Sequence, residues 1–219
     1  MKAIAKSDET RARILNTALD LFRRQGFEGT TMRQIAAAAG LAAGAAYYYF
    51  DSKDAIVLAF YDQAQREMEP LLEQALEAAT DLRQRIQSVI AVKLRYFEPS
   101  RQLLSALSVH TNPAHPLSPF NDVNRPIRDK DMDFFDRALT LSNVRDTEDL
   151  RPHLPRLLWL YQMGLILFWV FDRSDSQAKT QALLDKSVRL VARLIKLSGL
   201  PPMRPLRRIA VDLVQTVVE

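Results

Sequence analysis

The sequence predicts an all-α protein. Of its 219 residues, 47% are hydrophobic and only 6 are glycine, so the chain can bury a sizeable core and has few flexible positions. Ala, Leu, Arg, Glu and Gln dominate, and these residue types favour helices. β-Branched residues form no alternating run of the kind that predicts a strand.

Composition also excludes several kinds of site. The chain has no cysteine, which rules out a disulfide framework and a cysteine-based metal site. It shows no apolar signal segment, and no stretch reaches the roughly 20 apolar residues of a membrane span. We therefore expect a soluble, cytoplasmic protein with no membrane partner. The net charge of +4 permits nucleic-acid binding but does not argue for it.

The first predicted helix carries a single apolar stripe at helical spacing. Its members are Ile14, Leu15, Ala18, Leu21 and Phe22. Gly26 follows and can adopt the left-handed conformation of a C-terminal cap. Phe27 can then pack back onto the last turn.

Two short helices joined by a glycine turn come next. Residues 31–34 read Thr-Met-Arg-Gln, a capping box that predicts a helix start. This helix should end near Ala39, with Gly40 as its terminator, and a third helix should cover about 43–49. Two short helices linked in this way describe a helix-turn-helix.

The rest of the chain predicts further helices. A long fourth helix should start at Asp51 or Ser52 and run to about Ala79. The helix over 157–171 is apolar on nearly every side except at Gln162 and Gly164, which predicts burial all round. The other predicted helices begin at Asp81, at Pro99, at Ser118-Pro119 (to about Leu141), at about Ser176 (to Leu197) and at Arg204.

Residues 30–53 read TTMRQIAAAAGLAAGAAYYYFDSK. This segment closely resembles the N-terminal domain of the tetracycline-repressor (TetR) family, and the resemblance covers roughly residues 8–64. It implies a helix-turn-helix DNA-binding domain over 1–52, with its motif at 31–50, and a helical ligand-binding and dimerisation domain over 53–219. The implied function is a ligand-responsive repressor that binds palindromic operator DNA as a homodimer and is released by a small apolar or amphipathic effector.

The motif also suggests which residues meet DNA. Small residues at the start of the third helix let the backbone approach the base edges, while tyrosine hydroxyls and basic groups can reach phosphates. The candidate DNA-binding residues are Thr31, Arg33, Ala42, Ala43, Gly44, Ala45, Tyr47, Tyr48 and Lys53. The family often has Ser, Lys and Thr where this chain has Ala42, Ala43 and Ala45. We therefore expect readout through methyl contacts, Arg33, Tyr48 and DNA shape.

The C-terminal helices supply candidates for two further surfaces. An apolar effector pocket could be lined by Phe97, Leu104, His110, Phe120, Met132, Phe135, Tyr161, Met163 and Phe168. The helix over 176–197 has two apolar rows, one with Leu184, Val188, Val191 and Ile195, the other with Leu183, Leu190 and Leu194. The resemblance implies a dimer built from the last two long helices. We assign its interface to Trp169, Leu184, Val188, Val191 and Ile195.

Other functions remain open. No nucleophile–base spacing, phosphate loop or carboxylate pair stands out, and the histidines at 110, 115 and 153 suggest no metal site. We expect no enzyme activity, no cofactor and no bound metal. The main alternative is an architectural DNA-binding protein that senses no ligand. A protein-interaction module and, last, a small helical enzyme are the other possibilities.

Overall fold

The computed structural model describes residues 2–42, 44–144 and 149–218. Within these ranges there is no strand, so the predicted all-α class is confirmed. The helices are α1 (Lys2–Gln25), α2 (Met32–Ala38), α3 (Ala45–Tyr49), α4 (Lys53–Ala78), α5 (Leu82–Phe97), α6 (Arg101–Leu107), α7 (Arg125–Leu141), α8 (Leu154–Phe171), α9 (Ala178–Ser198) and α10 (Arg204–Val218).

The chain forms two compact units. The first extends to Glu67 and also contains Phe97–Ile127, while the second contains Met68–Tyr96 and the chain from Arg128 onward. Helix α4 contributes residues to both units. The boundary between residues 52 and 53 that the sequence suggests stays a prediction.

The core of the first unit begins with the apolar stripe of α1. Ile14, Ala18 and Phe22 are buried there, as predicted. Gly26 has a φ of 81° and donates its N–H to the carbonyl oxygen of Phe22 at 3.0 Å, which closes the helix with the expected left-handed cap. The ring of Phe27 lies 5.1 Å from that of Phe22, so the chain turns back onto the helix end.

The core of the second unit is centred on α8. Leu158, Trp159 and Leu165 are buried on one side of it. The prediction of burial all round is wrong, because the opposite side exposes apolar side chains at helical spacing. These exposed residues are Leu160, Leu167, Phe168 and Phe171. By length and composition alone, Arg151–Phe171 would suit a membrane span, but its buried side is a wall of this core.

Helix α7 begins later than the sequence suggested. Ser118-Pro119 does not start it; the Ser118 hydroxyl instead accepts the N–H of Phe120 at 3.2 Å in a local turn. Asn121 accepts the N–H of Val123 at 2.9 Å and caps a short 3-10 turn at Asp122–Asn124, which leads directly into α7. A serine hydroxyl can accept the backbone N–H two residues later, which forms a turn. A Ser-Pro pair in a sequence is therefore compatible with a turn as well as with a helix cap.

A single carboxylate organises the connection between α8 and α9. Asp172 accepts hydrogen bonds from the N–H and the hydroxyl of Ser174, at 2.9 and 2.7 Å. It also accepts the N–H and the hydroxyl of Thr180, again at 2.9 and 2.7 Å. These donors hold the pKa of the Asp172 carboxyl well below its ordinary value, because they bind the charged form.

Asp172→Asn should lower the melting temperature at pH 7, because an amide cannot accept from all of these donors. Because the pKa of Asp172 is lower in the folded than in the unfolded state, its ionised form stabilises the fold. This stabilisation is complete above the unfolded-state pKa of about 3.9, and it is lost as the pH falls through the folded-state pKa. The difference in melting temperature between wild type and Asp172→Asn should therefore shrink below about pH 4. Thermal denaturation from pH 7 to pH 2 measures it; a gap that persists unchanged at low pH would contradict this account.

Candidate DNA-binding site

Local capping fixes the start and the end of α2. The Thr31 hydroxyl accepts the N–H of Gln34 at 3.3 Å, and the Gln34 side chain accepts the N–H of Thr31 at 2.8 Å. The predicted capping box is therefore present. At the other end Gly40 has a φ of 71° and donates its N–H to the carbonyl oxygen of Ala37 at 3.0 Å. These two features give a short helix followed by a tight turn.

A small core holds α2 and α3 together. It contains Ile35 and Ala36 from α2 and Ala46 from α3, all fully buried. Phe50, which directly follows α3, is buried beside them. Tyr49 is half-buried beside them. Helix α3 starts at Ala45, two residues later than expected, with Gly44 as its N-cap. This core fixes the orientation of α3 and leaves its other side free.

The free side of α3 and the start of α2 form one exposed surface, here called the recognition surface. Tyr48 is 83% exposed and Tyr47 is 54% exposed. Ala45 is half-buried at its edge. The other exposed candidates on this surface are Thr31, Arg33, Ala42 and Gly44, while Ala43 lies outside the described residues. Apart from the tyrosines and Arg33, this surface offers mainly backbone and methyl groups.

Lys53 makes a contact within the protein that the sequence did not indicate. Its Nζ donates to the carbonyl oxygen of Phe27 at 2.7 Å and lies 4.3 Å from the centroid of the Phe27 ring. The start of α4 is thus anchored to the turn after α1. A contact of Lys53 with phosphate stays a prediction, because an ammonium group has three N–H donors and one is engaged here.

Two further residues brace the motif and were missed by sequence reasoning. The Gln25 amide donates to the hydroxyl of Thr30 at 3.2 Å and to the side-chain oxygen of Gln34 at 3.3 Å, which links α1 to α2. The guanidinium of Arg11 lies 4.6 Å from the ring centroid of Phe50, at the end of α3. None of these three contacts joins residues at a regular helical spacing, so no sequence pattern would have found them.

The candidate pocket residues are divided between the two units. Phe97, Leu104, His110 and Phe120 belong to the first, whereas Met132, Phe135, Tyr161, Met163 and Phe168 belong to the second. Phe135 is fully buried, while Phe120 and Phe168 are exposed. Phe168 lies on the exposed side of α8 and not on the side that packs in the core of the second unit. The lining of an effector pocket by these residues stays a prediction.

A buried polar cluster lies inside the second unit, on helices α5, α7 and α8. Lys93 and Asp131 form an ion pair in which the two side chains are only 4% and 8% exposed. Gln162 donates to the other Asp131 oxygen at 3.3 Å, and its own Oε1 is buried with no hydrogen-bond partner among the described residues. The lone glutamine in an apolar helix was the only sequence signal of this cluster.

Most of the residues assigned to the dimer interface lie inside the protomer. Trp169, Leu184, Val188 and Ile195 are buried inside the protomer, and Val191 is half-buried. They pack largely on their own chain, and their assignment to a dimer interface stays a prediction. The other row of α9 is the exposed one, with Leu183, Leu190, Leu194 and Leu197. Together with the exposed residues of α8 (Leu160, Leu167, Phe168 and Phe171), this row is here called the outer apolar face.

Family models match both parts of the chain. Residues 14–60 match the family described as bacterial regulatory proteins, tetR family, and residues 85–216 match the tetracyclin repressor-like C-terminal domain. The chain belongs to the TetR family of transcriptional regulators. The helix-turn-helix at α2 and α3 is therefore the DNA-binding motif of this family, as the resemblance implied.

Individual relatives agree with the family at lower coverage. The chain is 38% identical over 68 residues to the helix-turn-helix transcriptional regulator SrpR of Pseudomonas putida, a match that covers 31% of this chain and only 32% of SrpR. FadR of Bacillus subtilis, solved with stearoyl-CoA, is 15% identical with a TM-score of 0.62 over 86% of this chain and 98% of its own. AibR, solved with isovaleryl-CoA and operator DNA, is 20% identical with a TM-score of 0.53 over 83% and 97%. At these identities the two structures support the fold alone.

Proposed function

We propose that this TetR-family regulator is a cytoplasmic repressor that binds palindromic operator DNA as a homodimer and is released by a small apolar or amphipathic effector. The observation that carries the proposal is the recognition surface. It presents Tyr47 and Tyr48 beside small residues on a helix whose other side is held by a buried core. A helix held in this way can enter a major groove, which is about 12 Å wide.

The chemistry of the recognition surface suggests how it reads DNA. Tyr48 can bond a phosphate through its hydroxyl or touch a thymine methyl with its ring. Arg33 is exposed and can reach a base edge or a phosphate. Ala42 and Ala45 offer only methyl groups and backbone, so much of the specificity would come from thymine methyls and DNA shape.

The DNA upstream of the protein's own gene is the natural probe. At fixed salt, Arg33→Ala and Tyr48→Ala should each weaken binding to that duplex by about tenfold, roughly 1.4 kcal/mol, as measured by fluorescence anisotropy. Arg156→Ala is the matched control, because this exposed arginine of α8 lies far along the chain from the motif. Wild-type affinity in both motif variants, or an equal loss in the control, would refute the proposed surface.

The outer apolar face supports the proposed homodimer. Its two rows lie on neighbouring helices of the second unit and expose eight large apolar side chains. Large exposed apolar side chains grouped on adjacent helices are typical of an interaction site in a water-soluble protein. Two-fold symmetry would then place two recognition helices about 34–36 Å apart, on successive major grooves of a palindrome.

Effector binding is proposed to shift the population toward dimers whose two recognition helices are wrongly spaced for the operator. Helix α4, which contributes residues to both units, is the proposed connection. The unpartnered Oε1 of Gln162 supports a ligand that supplies a hydrogen-bond donor in the second unit, since a buried acceptor without a partner is costly. FadR and AibR were solved with acyl-CoA ligands, so acyl-CoA compounds of different chain length are the first effectors to test.

The effector hypothesis and its main alternative predict different melting curves. A ligand that binds only the folded protein raises its stability by about 2.7 kcal/mol at a hundred times its dissociation constant. It should also release the operator DNA in the anisotropy assay. Stabilisation without DNA release would contradict the mechanism, and no response to any compound would favour a ligand-independent architectural protein.

A further inference from the structure

A groove of about 420 Å³ lies in the second unit, between the start of α5 and the side of α9. The residues that line it are Asp81, Arg83, Arg189, Ala192, Arg193 and Lys196. Four of the six are cationic. None of these residues belongs to the buried cluster of Lys93, Asp131 and Gln162 or to the recognition surface.

The carboxylates near this groove are already engaged. Asp185 accepts from the Arg83 guanidinium at 2.6 Å and from that of Arg189 at 3.3 Å. Asp81 accepts the N–H of Gln84 at 2.9 Å and so caps α5. One shared carboxylate therefore faces two arginines, and positive charge is in excess around the groove.

The structure gives the remaining cations of the groove no counter-charge from the residues that it describes. Among the described residues, neither Arg193 nor Lys196 has an ion-pair partner. Arg189, Arg193 and Lys196 lie at positions i, i+4 and i+7 on one side of α9, where like charges repel. The Nε of Arg83 is buried and has no hydrogen-bond partner within the described part of the chain, so part of its donor capacity is also unused. An anion in the groove would relieve each of these costs.

We propose that this groove binds the diphosphate group of a small ligand. Arginine forks match the oxygens of phosphate in pairs, and several cations close together favour a group with several adjacent negative charges. The volume is within the usual range of small-molecule sites, roughly 300–1,000 Å³. A nucleic-acid backbone would need an extended basic track, whereas these cations are gathered in one recess. The proposal does not depend on the proposed repressor function, because it is tested without DNA.

Isothermal titration of the full chain with inorganic pyrophosphate tests the proposal. Wild type should bind it more tightly than orthophosphate at equal ionic strength. The double variant Arg193→Gln with Lys196→Gln should bind pyrophosphate about tenfold more weakly or worse, because each substitution removes a charged hydrogen-bond donor to the ligand. Lys186→Gln is the matched control, because Lys186 is exposed on α9 but does not line the groove.

Several outcomes would overturn the proposal. An equal loss in Lys186→Gln would show general charge screening, and tighter binding of citrate than of pyrophosphate would contradict the phosphate assignment. Weaker binding to duplex DNA with unchanged pyrophosphate binding would assign the groove to nucleic acid. Circular dichroism melting checks that the variants fold, and if the double variant does not, the single substitutions must each weaken pyrophosphate binding for the proposal to stand.

Discussion

Lys93→Met should lower the free energy of unfolding by about 3–5 kcal/mol. The substitution removes the cation that faces Asp131 in the core of the second unit, where both side chains are almost inaccessible to solvent. Asp131 would keep only the hydrogen bond from Gln162, at 3.3 Å, and a buried carboxylate without a counter-charge is strongly destabilising. Urea denaturation measures the effect as a lower midpoint at an unchanged slope.

A surface ion pair supplies the control for this experiment. Arg137 and Glu73 also form a pair between helices of the second unit, but their side chains are 37% and 38% exposed. Arg137→Met should therefore cost at most about 1 kcal/mol. If Lys93→Met costs no more than Arg137→Met, water reaches the Lys93–Asp131 pair and its burial is not what governs its energy.

The double variant Lys93→Met with Asp131→Leu separates stability from function. Replacing both members of a buried pair with apolar residues is often neutral or stabilising, so most of the loss in the single variant should be recovered. Gln162 would then lose its acceptor, and its amide would be left to find a new partner in an apolar core. A double variant that is stable and still binds operator but no longer responds to effector would place the cluster in ligand recognition.

Features set by neighbours in the sequence could be predicted, and those set by distant contacts could not. The capping box joins Thr31 and Gln34, three positions apart, and the left-handed cap at Gly26 needs only one glycine. Both follow from local geometry. The hydrogen bond from Lys53 to the carbonyl oxygen of Phe27 joins residues 26 positions apart, and the Lys93–Asp131 ion pair joins residues 38 positions apart. No local pattern encodes such contacts.

The two rows of α9 show the same limit. Leu184 and Val188 are no more apolar than Leu183 and Leu190, so periodicity predicts two rows but not which one faces the core. In the structure, the row with Leu184 and Val188 is buried in the second unit, and the row with Leu183 and Leu190 is exposed. Which side of α9 meets a partner therefore stays a prediction, although the helix itself follows from its periodicity.

Leu190→Glu together with Leu194→Glu should convert the proposed dimer into a monomer. The two leucines are 59% and 53% exposed in the single chain and lie one turn apart on the outer apolar face. In a dimer formed through this face, the glutamates would be buried without counter-charges, which disfavours association. Sedimentation equilibrium should report half the wild-type mass. Operator affinity should fall by about a hundredfold or more, because the second half-site is no longer bound intramolecularly.

Leu71→Glu is the matched control, since this leucine of α4 is also exposed but lies off the outer apolar face. It should change neither the mass nor the operator affinity. Leu184→Glu provides the opposite comparison: it places a charge in the core of the protomer, so it should unfold the chain instead of only dissociating it. A double variant that remains dimeric would show that association uses another surface. Only a folded monomer with weakened operator binding separates loss of association from loss of folding.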